Sequence, residues 1–159
     1  MDLTLARHLT RRVQLRVADK DWQILFSHGV LLEVEAATGL DLMAKAADLL
    51  NPTAVQLREM AHALLAAAGC DQSKRRIASE VFSVKHIGHT RSVIENAWSA
   101  SMPDPDEAED AKEDGDQHKK QIAVTWLGAW ARAHQDLHLD FDQWLSITPR
   151  MAEIGRAHV

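Results

Sequence analysis

The stretch RRVQLRVADKDWQILF, residues 11–26, decides how the chain begins to fold. Apolar residues alternate with polar ones on both sides of the short polar sequence ADKD, namely Val13, Leu15, Val17, Trp22, Ile24 and Phe26. A period of two on either side of a polar turn is typical of a β-hairpin. Because two strands alone are marginally stable in water, helices must cover the apolar face. We therefore expect Val17, Trp22 and Ile24 to be buried.

The following residues carry the start and stop signals of four or five helices. Candidate starts are Ser27, Asp41, Asn51 followed by Pro52 at the first helical position, and Ser73. Gly39 and Gly69 favour helix ends, and Gly88 separates the last two helices. The sequence thus predicts a mainly α fold, in which a short N-terminal β-hairpin is followed by a small helical domain.

An acidic segment, PDPDEAEDAKEDGDQH at 103–118, divides the chain. It contains one Lys and eight Asp or Glu residues, whereas the parts on either side are close to neutral. A segment with this charge and no large aliphatic side chain buries too little apolar surface to offset the entropy of ordering. We predict a flexible linker between an N-terminal domain, 1–102, and a C-terminal helical module, 119–159. An exposed acidic helix over 106–114 is the alternative.

The C-terminal module has an apolar stripe at helical spacing, followed by two further helix starts. The stripe consists of Ile122, Trp126, Trp130, Ala133 and Leu137. Asp140 and Gln143 form a variant capping box, and Thr148-Pro149 starts a final helix. About forty residues are too few for a robust independent core. We therefore expect the module to pack on a partner or to order fully only when bound.

Aromatic residues of this module are the strongest candidates for a binding site. Large aromatic side chains dominate the energetics of protein interfaces. The residues assigned to partner binding are Trp126, Trp130, Phe141, Trp144, Thr148 and Pro149. The alternative is that the tryptophans hold the small module together.

Candidate catalytic and metal-binding residues are weak. His134 and His138 have the i, i+4 spacing of a zinc protease helix, but Gln135 stands where that chemistry needs a glutamate base. Cys70 has no evident base beside it, and the basic cluster at 74–76 is typical of a solvated face. We predict no catalytic residue, no metal and no cofactor. A cryptic metalloenzyme using the two histidines stays open as an alternative.

Composition bounds the class of protein further. No apolar run approaches the ~20 residues of a membrane span, and no part of the chain has the basic excess of a nucleic-acid binder. The N-terminal sequence MDLTLARHLTRR lacks the apolar core and cleavage site of a secretory signal. A single cysteine suits a reducing cytoplasm. We expect a cytoplasmic protein without membrane or nucleic-acid partners.

Two parts of the chain carry a resemblance to a known family. Residues 26–67 resemble the N-terminal domain of tail assembly chaperones of long-tailed bacteriophages and gene transfer agents. The family's L-x-x-x-E-x-x-T-G helix is matched by Leu31, Glu35, Thr38 and Gly39.

The end of the chain is similar to the same family's C-terminal ending. In residues 140–154 the positions Trp144, Thr148 and Pro149 match that pattern. Met151 departs from it, since an acidic residue is commoner near that position, and Glu153 follows two residues later.

The resemblance implies a non-enzymatic role in tail assembly. Such chaperones bind the long helical tape measure protein before the tail polymerises and help to recruit tail tube subunits. The resemblance also implies a homo-oligomer that acts in the cytoplasm of the bacterial host and is absent from the mature virion. A different class stays open: a small adaptor or regulatory protein that binds another protein through its C-terminal module.

Overall fold

The computed structural model describes residues 11–42, 52–83, 85–103 and 126–157. The helix expected after Asp41, apart from its first two residues, and the predicted acidic linker, apart from Pro103, lie outside these ranges. Within them the chain is mainly helical and begins with a two-stranded hairpin, as the sequence predicts. None of the helices in the described ranges is long and apolar enough to cross a bilayer.

The elements are numbered in chain order. The strands are β1 (Gln14–Val17) and β2 (Lys20–Gln23). The helices are α1 (His28–Thr38), α2 (Ala54–Ala67), α3 (Lys74–Val81), α4 (Ile87–Ser101), α5 (Trp126–Leu137), α6 (Phe141–Leu145) and α7 (Pro149–Ala157).

The hairpin forms in the register that the alternation indicates. β1 and β2 are antiparallel, and the two turn residues Ala18 and Asp19 both have positive φ, 53° and 58°. Positive φ at both central residues is the geometry of a type I′ turn, whose twist matches that of the strands. The predicted burial of Val17 and Ile24 is confirmed, with exposed fractions of 1% and 0%.

Trp22 corrects the prediction of full burial, because its side chain is only half-buried. It lies within β2 and packs against the buried core as a partly exposed residue. The indole N–H donates to the carbonyl oxygen of Val17 at 3.1 Å, and the Lys20 ammonium lies 4.2 Å from the ring centroid. The ring therefore covers the edge of the core.

The predicted start residues of α1 and α3 and the predicted end of α1 are confirmed. The Ser27 hydroxyl accepts a hydrogen bond from the amide of Val30, and the Ser73 hydroxyl accepts one from Arg76. Gly39 closes α1 in the left-handed conformation, with φ of 71°. These side chains satisfy backbone groups that the helix itself leaves free.

Two other boundaries differ from the prediction. The N-cap of α2 is Thr53 rather than Asn51, because Thr53 and Gln56 form a reciprocal capping box with bonds of 3.2 and 2.8 Å. Gly88 does not separate two helices. It lies in the first turn of α4, which begins at Ile87, so the break between α3 and α4 precedes it.

Buried side chains of the described residues form two apolar clusters. The first is built from the hairpin and α1 to α4. Ser101 contributes to it, since its hydroxyl accepts from the amide of Phe26 at 2.9 Å and donates to the carbonyl of Ala97 at 2.6 Å. The second cluster comes from α5 to α7, and Leu25 and Leu32 of the N-terminal part pack against it. The C-terminal helices therefore pack on the rest of the chain.

Candidate functional site

The junction between α1 and the C-terminal helices is centred on His28, the first residue of α1. Its backbone amide donates to the carbonyl oxygen of Ile147 at 2.9 Å. Its Nδ1 lies 2.8 Å from the same oxygen and 3.1 Å from the carbonyl oxygen of Trp144. Because both partners are acceptors, Nδ1 carries the proton. The imidazole also stacks on the Trp144 indole, with centroids 4.4 Å apart.

Burial controls the ionisation of this histidine. His28 is 4% exposed, and desolvation lowers its pKa from 6.5 to about 4, against the opposing effect of the two carbonyl hydrogen bonds. A buried imidazole loses hydration when it is charged, so the neutral form is favoured. His28 is therefore a neutral structural group at neutral pH.

Beside His28, the backbones of α1 and α6 approach each other closely. A Cβ placed on Gly29 would lie 3.1 Å from the carbonyl oxygen of Leu145, which is tighter than an ordinary contact. Glycine at this position thus lets α6 approach the first turn of α1. The two elements meet through backbone atoms as well as side chains.

Two of the residues assigned to partner binding, Trp144 and Thr148, are buried within the chain. Trp144 is 2% exposed and Thr148 is 1% exposed. Thr148 accepts a hydrogen bond from the amide of Met151 at 3.1 Å and so caps α7, which begins at Pro149. A partner can reach Trp144 only if the C-terminal helices leave α1.

Two of the other predicted binding residues form an accessible aromatic surface. Phe141 is 49% exposed, and its ring meets the half-buried Trp130 edge-on, with centroids 5.8 Å apart. The Trp130 ring also stacks on His134 at 5.7 Å. Trp126 begins α5, but its side chain lies outside the described part of the chain. We call Trp130, His134 and Phe141 the aromatic surface.

His134 lies in the last turn of α5, and His138 directly follows this helix. His134 Nδ1 bonds to the carbonyl oxygen of Leu139 at 2.9 Å, across the end of the helix. His138 has a positive φ of 54°, and its amide donates to the carbonyl of His134 at 3.0 Å. The pair therefore supports the turn that follows α5. The described residues contain no group of three potential metal ligands.

A groove between α1 and α2 forms a concave surface in the described structure. Its volume is about 650 Å³, it is open to solvent, and residues of α6 line it together with the two helices. Small side chains contribute much of the lining: Gly29, Ala37, Ala63, Ala66 and Ala67. We call this surface the α1–α2 groove. Its shape and small side chains suit a bound helix or a bulky side chain.

Polar groups inside the groove are mostly engaged in the fold. Glu59 is 7% exposed, and its carboxylate lies 2.8 Å from Lys74 Nζ and 3.0 Å from an Arg58 guanidinium nitrogen. The hydrogen bond from Lys74 lowers the pKa of Glu59, with Arg58 acting in the same direction. The Ser27 hydroxyl caps α1, and the Ser146 hydroxyl donates to the carbonyl of Gln143. The ion pair of Glu59 with Lys74 joins α2 to α3, whereas the two serines stabilise helix ends.

Residues that carry the sequence resemblance act mainly in folding. The Glu35 carboxylate accepts from the amide of Leu42 at 2.7 Å. The Thr38 hydroxyl donates to the carbonyl of Val34 and accepts from the amide of Leu40. Together with Gly39 they end α1 and turn the chain. The motif therefore specifies a helix end and makes no direct contribution to the groove.

Sequence reasoning missed His28 and the groove. His28 follows a helix cap, where an exposed polar residue is ordinary, and its partners Trp144 and Ile147 lie more than a hundred residues away in sequence. The Ala residues of α2 are typical of any helix. Only tertiary packing shows that these residues meet.

No protein-family model, curated protein or solved structure matches this chain. Functional inference therefore depends on the geometry above and on the sequence resemblance.

Proposed function

We propose that this protein is a non-enzymatic chaperone of tail assembly, of the kind found in long-tailed bacteriophages and gene transfer agents. In this role it holds a helical segment of the tape measure protein before the tail polymerises. The observation that carries the proposal is the α1–α2 groove, which is open, lined by small side chains and walled by helices. The resemblance of residues 26–67 and 140–154 supplies the identity of the partner.

A helix is the occupant that suits these walls best. The backbone groups of α1 and α2 are bonded within their own helices, so they offer no strand edge to an extended peptide. An occupant must therefore satisfy its own backbone, which a helix does. Small wall residues let a helix approach closely enough for side chains to interdigitate.

Binding rather than catalysis fits the chemistry of the groove. Glu59, Ser27 and Ser146 are committed to ion pairs and helix ends. A nucleophile needs a neighbouring base and an anion-stabilising surround, and these groups have neither arrangement. The groove thus supports recognition of a partner surface.

The aromatic surface is proposed as the contact for the tail tube subunit. Phe141 is the most exposed large apolar residue of the C-terminal helices in the described chain. Phe141 is the anchor of this contact and Trp144 is not, since Trp144 is buried against His28.

Co-purification of tape measure and tube proteins with full-length variants tests both assignments. Ala66→Phe fills the groove from an exposed position of α2, and Ala131→Phe places the same side chain at an exposed position of α5. We expect only Ala66→Phe to lose the tape measure protein. Phe141→Ala should lose the tube protein, whereas Val55→Ala, which truncates another exposed apolar residue, should retain it.

The outcomes separate the chaperone from the adaptor. Retention of the tape measure protein by Ala66→Phe would overturn the groove assignment. Loss of every partner in Phe141→Ala, with no effect of Ala66→Phe, would favour an adaptor that binds through its C-terminal helices.

A further inference from the structure

The rim of the α1–α2 groove carries two carboxylates that form no ion pair with any residue the structure describes. Glu33 on α1 and Asp142 on α6 both line the groove, and both side chains are exposed. None of the ion pairs between described residues includes either of them. Their charges therefore face the groove and the solvent.

Glu59 and Lys74, which also line the groove, form an ion pair with each other. Lys74 is paired with Glu59 at 2.8 Å, and Arg58 adds a second cation to that carboxylate from outside the lining. Lys74 is thus not free to neutralise the rim. Glu33 and Asp142 lie on different elements, so two walls of the groove present negative charge.

We propose that the α1–α2 groove selects a helix that carries lysine or arginine beside small residues. The small residues pack against the Ala side chains, and the cations meet Glu33 and Asp142 on the two walls. Charge complementarity of this kind sets specificity and speeds association more than it raises affinity. The inference deepens the proposed function, because it names the chemistry of the helix that the same groove holds.

The C-terminal helices are part of this site. Asp142 and Leu145 of α6 and Ser146, the residue after it, line the groove, and α6 is held against α1 by the contacts of His28 and Gly29. A helix in the groove therefore touches both the N-terminal domain and the C-terminal segment. One rim carboxylate is lost whenever α6 is displaced.

Binding of labelled helical peptides to the full-length protein tests the proposal. Three Ala-rich peptides of equal length carry Lys, Gln or Glu at the same positions, and fluorescence anisotropy measures the dissociation constant of each. The Lys peptide should bind roughly tenfold more tightly than the Glu peptide at low salt. Raising the salt concentration should reduce this preference, because the rim charges are exposed.

Matched variants locate the effect. Glu33→Gln combined with Asp142→Asn should weaken binding of the Lys peptide several-fold, since each exposed ion pair contributes little by itself. Glu95→Gln combined with Asp71→Asn removes the same charges from exposed positions outside the groove and should leave binding unchanged. Both double variants retain the acidic residues 103–118. Their comparison therefore also controls for nonspecific attraction of the Lys peptide to that segment. Ala66→Phe should weaken all three peptides.

Equal binding of the Lys and Glu peptides, or equal effects of the two double variants, would overturn the proposal. Loss of the Lys preference with retention of the tape measure protein would refute the charge preference and leave the proposed function standing. Self-association that disappears in Glu33→Gln, Asp142→Asn would identify a second copy of the chain as the occupant and would also overturn it.

Discussion

His28 contacts the C-terminal helices and the residues between them through both its backbone and its ring. Its ring and its backbone amide both bond to the Ile147 carbonyl, and its ring stacks on Trp144. The pKa of the buried imidazole is lowered to about 4, whereas an unfolded chain titrates near 6.5. The folded state therefore binds fewer protons than the unfolded state between these two values.

Stability should fall as the pH is lowered through this window. Linkage predicts a loss of about 2 kcal/mol between pH 7 and pH 5 from His28. Hydrogen bonds from Lys74 to Glu59 and from the Ala18 amide to Glu80 hold the pKa of each carboxyl below 4.5, so both stay ionised in the folded protein over this range. Urea unfolding at pH 7, 6 and 5 measures the change. His28→Asn, which keeps a donor but does not titrate, should flatten it, and an unchanged slope in that variant would exclude His28 as the cause.

Trp144 and Trp22 should differ in their contribution to stability. Trp144→Ala removes a buried ring and should cost roughly 3–5 kcal/mol. Trp22→Ala removes a half-buried ring with one hydrogen bond and should cost about 2 kcal/mol. Urea unfolding of both variants at neutral pH gives the comparison. A larger loss of unfolding free energy for Trp22→Ala would show that packing of Trp22 on the core contributes more to stability than the His28–Trp144 stack.

At the scale of elements, the backbone of α6 closely approaches the first turn of α1 at Gly29. Gly29 and Gly88 are both the second residue of a helix, but only at Gly29 would an added methyl group meet a backbone oxygen, at 3.1 Å. Gly88 has open space around it. The two positions therefore separate the intrinsic helix preference of alanine from the effect of the α1–α6 contact.

Alanine at these glycines should change stability in opposite directions. Gly88→Ala should stabilise the protein by up to ~1 kcal/mol through helix propensity. Gly29→Ala should destabilise it by about 1 kcal/mol, because the Leu145 carbonyl must shift. Thermal unfolding of both variants checks the signs. Stabilisation by Gly29→Ala would mean that α6 adjusts its position without loss.

Local patterns predicted most of the elements but not how they meet. The hairpin, the caps Ser27 and Ser73, and the Asp140–Gln143 capping box are encoded by neighbouring residues, and all are confirmed. The predicted start of α2 at Asn51 was wrong, because the capping box of Thr53 and Gln56 places the N-cap at Thr53. The groove could not be predicted, since it exists only where distant helices pack together.

At the scale of the whole molecule, residues 126–157 pack on the N-terminal part of the chain. The first apolar cluster is formed within residues 13–102 alone, whereas Leu25 and Leu32 complete the second. The predicted independence of residues 1–102 thus stays a prediction. The contacts indicate that residues 1–102 without the C-terminal helices keep the first apolar cluster. The face that carries Leu25 and Leu32 becomes uncovered.

A chain of residues 1–102 should therefore fold cooperatively with reduced stability. The first apolar cluster is retained, but Leu25, Leu32 and His28 become more exposed, because the C-terminal helices no longer cover them. Circular dichroism during heating should show one transition at a lower temperature than in the full-length protein. The absence of a cooperative transition would mean that the two ends of the chain share one folding unit.

Photo-crosslinking from within the α1–α2 groove tests whether this groove holds a helix of the tape measure protein. A benzophenone amino acid replaces Ala66, which lines the groove, or Ala131, an exposed residue of α5 outside it, in full-length protein co-expressed with the tape measure protein. We expect a crosslink from position 66 to a helical, lysine- or arginine-bearing segment of the tape measure protein, and none from position 131. Crosslinking from 131 alone, or from neither position while the two proteins still co-purify, would contradict it.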